Sequence, residues 1–241
     1  MNKKEKLINI LEENKPEYFE QARVLDEILQ TNFSNKIERE NDDINLLSLI
    51  FEIEVGYHLC QIFGSNNVFY EPKIDNKTPD WLIEINNQKI IIEVKHLNPT
   101  EEEIKNRIEQ VKNHQYTGLH HTSYSFSYYI FNKHLFKLFE KEEKYRTLIE
   151  KGYVLLVYFS TVPLQHLFIS DTDIPDLFDF KFFHKYKQYK TYDKHRMFMF
   201  NVAGVIGKPI FGRTVFIENE FSENRLNSKN IQLFKYYFEN D

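Results

Sequence analysis

Cysteine occurs once, at Cys60, so no internal disulfide can form, and a reducing, cytoplasmic setting is expected. Glycine and proline number seven each among 241 residues, too few for a long flexible linker or a low-complexity tract. The amino terminus, MNKKEKLINILEENKPEYFE, is charged where a secretory signal needs an apolar centre. No window reaches the roughly 18 uninterrupted apolar residues of a membrane span, which predicts a soluble protein without a membrane partner. No glycine loop for phosphate, nucleophile elbow or dinucleotide fingerprint occurs, which sets aside most kinase, serine-hydrolase and dehydrogenase readings. Positive charge is also in deficit: 31 Lys and Arg stand against 36 Asp and Glu, a net charge of -5. A nucleic-acid partner would therefore have to be met by a local basic patch.

What is present describes a globular chain, 41% hydrophobic and 16% aromatic, long enough for one main core. Residues 1–45 read as a helical amino-terminal arm, with Pro16 between two helices. Residues 46–63, LLSLIFEIEVGYHLCQIF, are apolar nearly all round, as in a helix buried on several sides and stopped by Gly64. Strands are expected at 68–70, on either side of Asn86-Asn87, at 124–131 and at 153–160, and helices at 100–116 and 133–150. Residues 46–160 form the expected core, and residues 161–241 an extension packed on it, with strands near 197–202 and 214–218 and a helix near 227–238. The order predicts an α/β fold on a mixed sheet.

The stretch PDWLIEINNQKIIIEVK, residues 79–95, carries the chemistry. Asn tolerates the positive φ of a two-residue hairpin turn, and a turn at Asn86-Asn87 pairs Trp81 with Ile92, Ile83 with Ile90 and Glu84 with Lys89. One face then holds Trp81, Ile83, Ile90, Ile92 and Val94. The other sets Asp80 opposite Glu93, about 5 Å apart at Cβ, with Lys95 on the same face. A slip by two places would pair Asp80 with Lys95 and keep the three together, whereas a slip by one would scatter them. Two facing carboxylates destabilise a sheet unless a cation lies between them, and a divalent metal is the natural occupant.

These residues resemble the PD-(D/E)xK nuclease superfamily. Pro79-Asp80 matches its PD element and Glu93-Val94-Lys95 its ExK element, with twelve residues between Asp80 and Glu93. The resemblance covers about residues 46–160. It implies a restriction-endonuclease-like core of helix, three-stranded antiparallel meander, helix and strand. It also implies that Asp80, Glu93 and the Val94 carbonyl bind Mg²⁺, with Mn²⁺ as a substitute, and that Lys95 positions or polarises the attacking water. The implied activity is phosphodiester hydrolysis, with DNA as the substrate, in a prokaryotic restriction, defence or mobile-element system. Many members dimerise to cut two strands, so a second copy of the chain is an implied partner. Many also add a glutamate from the first core helix. Of Glu52 and Glu54, the helical wheel favours Glu54, which lies beside Ile50, Tyr57 and Gln61 at the edge of the densest apolar face. Some branches also carry a glutamine and a tyrosine at fixed spacing on the helix after ExK; here Gln110 is followed four places later by His114 and Gln115 abuts Tyr116, so that signature is absent.

Two further segments have a chemical reading. KFFHKYKQYKTYDKHR, residues 181–196, interleaves five aromatics with Lys185, Lys187, Lys190, Lys194, Arg196 and one further lysine, a pattern suited to phosphate attraction and base stacking. An amphipathic surface element with its aromatics packed inward would look the same. His114, His120 and His121 have no nearby cysteine and are read as surface residues rather than zinc ligands. The rival functional reading keeps the fold without the chemistry, as a silent subunit that binds nucleic acid or a partner.

Overall fold

The computed structural model of the chain describes residues 17–97, 136–161, 178, 192–208 and 214–239. The elements are helices α1 (Glu17–Leu29), α2 (Phe33–Arg39) and α3 (Asp43–Phe63), strands β1 (Val68–Tyr70), β2 (Trp81–Ile85) and β3 (Gln88–Leu97), helix α4 (Phe136–Glu150), strand β4 (Val154–Thr161), helix α5 (Tyr192–Asn201), strands β5 (Val202–Lys208) and β6 (Val215–Glu218), and helix α6 (Ser228–Glu239). The strands form one mixed sheet in the order β1-β2-β3-β4-β5-β6. β1, β2 and β3 are antiparallel neighbours, β3, β4 and β5 run parallel, and β6 returns antiparallel. The fold is therefore mixed α/β, and the residues beyond 161 extend the same sheet.

The β2–β3 hairpin follows from its turn. Asn86 and Asn87 adopt φ of 47° and 61°, the doubly left-handed geometry of a type I′ turn, whose twist matches that of the flanking strands. The resulting register pairs Trp81 with Ile92, Ile83 with Ile90 and Glu84 with Lys89, as expected without any slip. Asn86 Nδ2 also donates to Asn230 Oδ1 at 2.6 Å, which ties the turn to α6.

Strands β3 and β4 are interior, which explains their runs of apolar residues. Ile90, Ile91 and Ile92 are all fully buried, as are Leu155, Leu156 and Val157, because helices cover both faces. On one face α1, α2, α3 and α6 pack over Trp81, Ile83, Ile90, Ile92, Leu156 and Tyr158. On the other, α4 and α5 pack over Leu82, Ile91, Leu155, Val157 and Val205. Both crossover helices share that second face because β3→β4 and β4→β5 advance in the same direction with a common hand.

Helix ends obey local chemistry. Gly64, at φ 79°, and Gly152, at φ 88°, take the left-handed conformation past α3 and α4. After α4 the Gly152 N–H reaches the Ile149 carbonyl at 2.9 Å and the Tyr153 N–H reaches that of Leu148 at 3.1 Å, a Schellman closure. The segment Asn45–Phe63 of α3 is apolar and long enough to cross a membrane by composition. Its burial between the sheet, α1, α2 and α6 accounts for that composition, since a helix covered on several sides needs no polar face.

One expected strand is corrected. Residues 197–201 belong to α5, and the strand begins at Val202. MFMFNVAGVIG is apolar apart from Asn201 and its glycines, so periodicity does not separate helix from strand. The boundary is set by Asn201, whose amide donates to the Met197 carbonyl at 2.9 Å and to Glu142 Oε1 at 2.9 Å. The helix expected at 100–116 and the strand at 124–131 lie outside the described residues.

Within α3, Gly56 lets the helix approach the sheet. A Cβ there would stand 2.0 Å from Cζ2 of the buried Trp81, so any side chain must push α3 away from β2. Gly56→Ala is expected to destabilise the protein by about 1–3 kcal/mol through overpacking, read as a lower urea midpoint at unchanged slope. An unchanged midpoint would show that the close approach is not needed.

Candidate functional site

The end of β2 and the middle of β3 hold the acidic groups. Residues 71–79 fold into a short loop in which the Glu71 N–H meets the Asp80 carbonyl at 3.0 Å and Ile74 pairs with Lys77. An ion pair from Lys151 to Asp75 fastens this loop to the end of α4. Asp80 therefore enters β2 from a fixed direction. Its Oδ2 accepts the Val94 N–H at 2.7 Å, so the Asp80 side chain continues the β2–β3 pairing where the strand ladder ends.

Glu93 lies one residue before Val94 and is only 1% exposed. Its neighbours Ile92 and Val94 face the α3 side of the sheet, so strand alternation turns Glu93 toward α4. Helix α4 presents Lys141, Lys144, Tyr145 and Leu148 to the sheet, a spacing of i, i+3, i+4 and i+7 that places them on one helical face. Lys141 Nζ donates to Glu93 Oε1, and Lys144 Nζ approaches the same oxygen at 3.4 Å. The Tyr145 hydroxyl donates to the Thr78 carbonyl at 3.2 Å. Glu93 Oε2 is buried without a hydrogen-bond partner, an unusual state for a carboxylate oxygen and one that a ligand would relieve.

The electrostatics follow from burial and proximity. Burial first, and the Glu93 carboxylate second, push the Asp80 carboxyl up from its ordinary range, while the Val94 N–H, Lys141 and Lys144 pull it back. Burial, together with Glu93 nearby, pushes Tyr145 up and keeps its hydroxyl protonated. Lys95 lies two residues beyond Glu93 on β3 and so on the same face of the strand.

The third carboxylate is Glu52. Burial and then the Asp80 charge raise it to about 7, and a hydrogen bond with Tyr70 partly offsets this. Glu52 lies one helical turn before Gly56, the residue that touches Trp81, so it projects toward the same end of β2. Glu54, favoured on the helical wheel, pairs instead with Lys208 at the end of β5. Because α3 is buried on several sides, its densest apolar face does not identify the side that meets β2. Near Glu54 a separate polar group forms on the α3 face, where His96 Nδ1 and Ser160 Oγ are 2.8 Å apart.

The structure thus places Asp80 in the field of both Glu93 and Glu52 and adds Lys141, Lys144 and Tyr145 around Glu93 and the adjoining loop. The sequence reading placed a helix over these last three without giving them a role. The available signal was a face that begins with lysines and ends in Leu148, opposite a strand that carries Glu93. Of the basic segment, Lys185, Lys187 and Lys190 lie outside the described residues, as do His114, His120 and His121. Lys194 and Arg196 fall within α5, and Arg196 is exposed.

Among the described residues, no group of three or more His, Cys, Asp or Glu is arranged to hold an ion. Mg²⁺ needs less, since it usually keeps several waters and takes one or two protein carboxylates. Asp80 and Glu93, with the unpartnered Glu93 oxygen and the carbonyl of the next residue, Val94, are a donor set of that kind. No family model, curated protein or solved structure matches the chain.

Because folding raises Glu52 from 4.5 to about 7, the folded state holds a proton that the unfolded chain releases. The stability from this group is complete below the unfolded value and is lost as pH rises through about 7. Without divalent cation, Glu52→Gln should therefore gain stability relative to wild type as pH rises from about 5 to about 8. Urea midpoints of both proteins across that range check it, and a constant difference would remove Glu52 from the desolvated site.

Proposed function

We propose that the protein is a Mg²⁺-dependent phosphodiesterase acting on DNA, an endonuclease of a prokaryotic restriction, defence or mobile-element system. The observation that carries this reading is the meeting of Asp80 and Glu93 across β2 and β3, with Asp80 bound to the Val94 N–H and one Glu93 oxygen unpartnered. Its support in the chain's architecture is the order α3, β1-β2-β3 meander, α4, β4, with β4 parallel to β3. That order agrees with the helix, meander, helix and strand expected from the resemblance to the PD-(D/E)xK superfamily.

In this reading Asp80, Glu93 and the Val94 carbonyl hold the cation, which when bound supplies Lewis acidity and a water of lowered pKa. Lys95, on the same face of β3, orients that water. Glu52 adds negative charge on the far side of Asp80. Lys141 and Lys144 bring positive charge toward an anionic phosphate, and the basic segment 181–196 contributes contacts to the nucleic-acid backbone. Glu93 is buried and Lys141 mostly so, while Lys144 is 41% exposed toward the rim.

A second reading is favoured by the paired state of Glu93. If the Lys141–Glu93 pair is purely structural, the chain is a silent subunit of the same fold that binds nucleic acid or a partner. Breaking such a buried pair is costly whether or not chemistry occurs, so stability alone does not separate the readings.

Cleavage separates them. Purified protein should cut supercoiled or linear DNA with Mg²⁺ or Mn²⁺ and not with EDTA. Asp80→Asn and Glu93→Gln should each lower the rate by at least about a hundredfold with the circular dichroism spectrum retained. Cutting that persists in both variants would overturn the assignment, and absence of cutting by wild type on duplex DNA, single-stranded DNA and RNA would favour the silent subunit.

A further inference from the structure

Glu93 already has cationic partners. Asp80 and Glu93 supply two carboxylates, and Lys141 and Lys144 bring two ammonium groups onto a single Glu93 oxygen. Glu93 is 1% exposed and Lys141 only 16% exposed, whereas Lys144 is 41% exposed. Lys141 is therefore the desolvated partner, and its attraction to Glu93 is weakly screened. An isolated buried carboxylate beside a second one would be expensive to leave uncompensated. Both lysines approach Oε1, while Oε2 has no partner, so the pairing satisfies the charge of Glu93 and leaves half of its hydrogen-bonding capacity unused.

We infer that Lys141 is the resident cation of the metal-free site, and that a divalent ion binds Glu93 in competition with it. The inference rests on the proposed metal-dependent reading of Asp80 and Glu93 and adds a residue that the PD and ExK elements do not contain. Introducing a divalent ion beside Lys141 and Lys144 places like charges together, which weakens its binding. Once Lys141 leaves Glu93, its flexible four-carbon stem can carry the ammonium group away from the ion. Lys144, one helical turn along the same face, is 41% exposed, so that side of the pair borders solvent. The site then binds a divalent ion less tightly than its two carboxylates alone would, and an anionic phosphate that receives the displaced ammonium group restores the balance.

The test is Mn²⁺ binding to the full-length protein, freed of metal with EDTA and dialysed, followed by electron paramagnetic resonance without nucleic acid. Lys141→Met should bind Mn²⁺ at least about tenfold more tightly than wild type, since a competing unit charge a few ångströms away is removed. Lys144→Met should give a smaller gain, and Lys151→Met, on a lysine that pairs with Asp75, should give none. The Lys141→Met protein should also melt lower than wild type without metal and show the larger rise on adding Mn²⁺. If Lys141→Met does not fold, Lys141→Gln, which keeps a donor and loses the charge, carries the same comparison.

Equal or weaker Mn²⁺ binding by the Lys141 variant, with Glu93→Ala abolishing binding in both backgrounds, would overturn the inference and leave the metal site standing. Binding by neither wild type nor the Lys141 variant would overturn the metal site and the inference together.

Discussion

Two carboxylates facing each other across one antiparallel strand pair form the constraint on which the site depends. Asp80 and Glu93 cannot avoid one another, because the type I′ turn at Asn86-Asn87 fixes the register and the isoleucines of β3 penalise any slip by one residue. Burial sharpens their repulsion, and the rise of Asp80 above its usual range expresses it. The surrounding structure answers with the Val94 N–H on one side and the α4 lysines on the other. Such an arrangement is difficult to justify by stability alone, since apolar residues of similar volume would serve a core as well or better.

The layered architecture separates apolar packing from charged groups on a single strand. Ile90, Ile92 and Val94 of β3 join the core beneath α3, while Ile91 joins the core beneath α4. At Glu93 the α4 face changes from apolar to charged, one helical turn from the point where α4 itself changes from Leu148 to Lys144 and Lys141. Gly56 and Trp81 hold α3 close to the end of β2, which brings Glu52 within the field of Asp80. Moving α3 outward would disturb both the apolar core and the third carboxylate.

Much of this was legible in the sequence wherever local chemistry decides structure. Asn86-Asn87 and the alternation around it specify the hairpin and therefore the meeting of Asp80 with Glu93. Gly64 and Gly152 mark the ends of α3 and α4, and YVLLVYFS reads as an interior strand. The choice between Glu52 and Glu54 was not legible in the same way, because α3 is buried on several sides and the decisive contact, Gly56 on Trp81, is tertiary. Lys141 and Lys144 were hidden for a related reason: a charged helical face ordinarily signifies solvent, and only the β3–α4–β4 crossover turns this one toward a buried glutamate. The start of β5 was obscured by a nearly unbroken apolar run in which the Asn201 side chain, rather than periodicity, marks the boundary.

The central claim is that Asp80, Glu93 and Val94 together form a divalent-cation site. Anomalous diffraction from crystals of the protein soaked in Mn²⁺ tests it most directly. The account predicts a peak about 2.1 Å from an oxygen of each carboxylate and from the Val94 carbonyl oxygen, with Lys141 withdrawn from Glu93. Crystals that take up Mn²⁺ elsewhere, or not at all, with Lys141 still paired to Glu93, would contradict it.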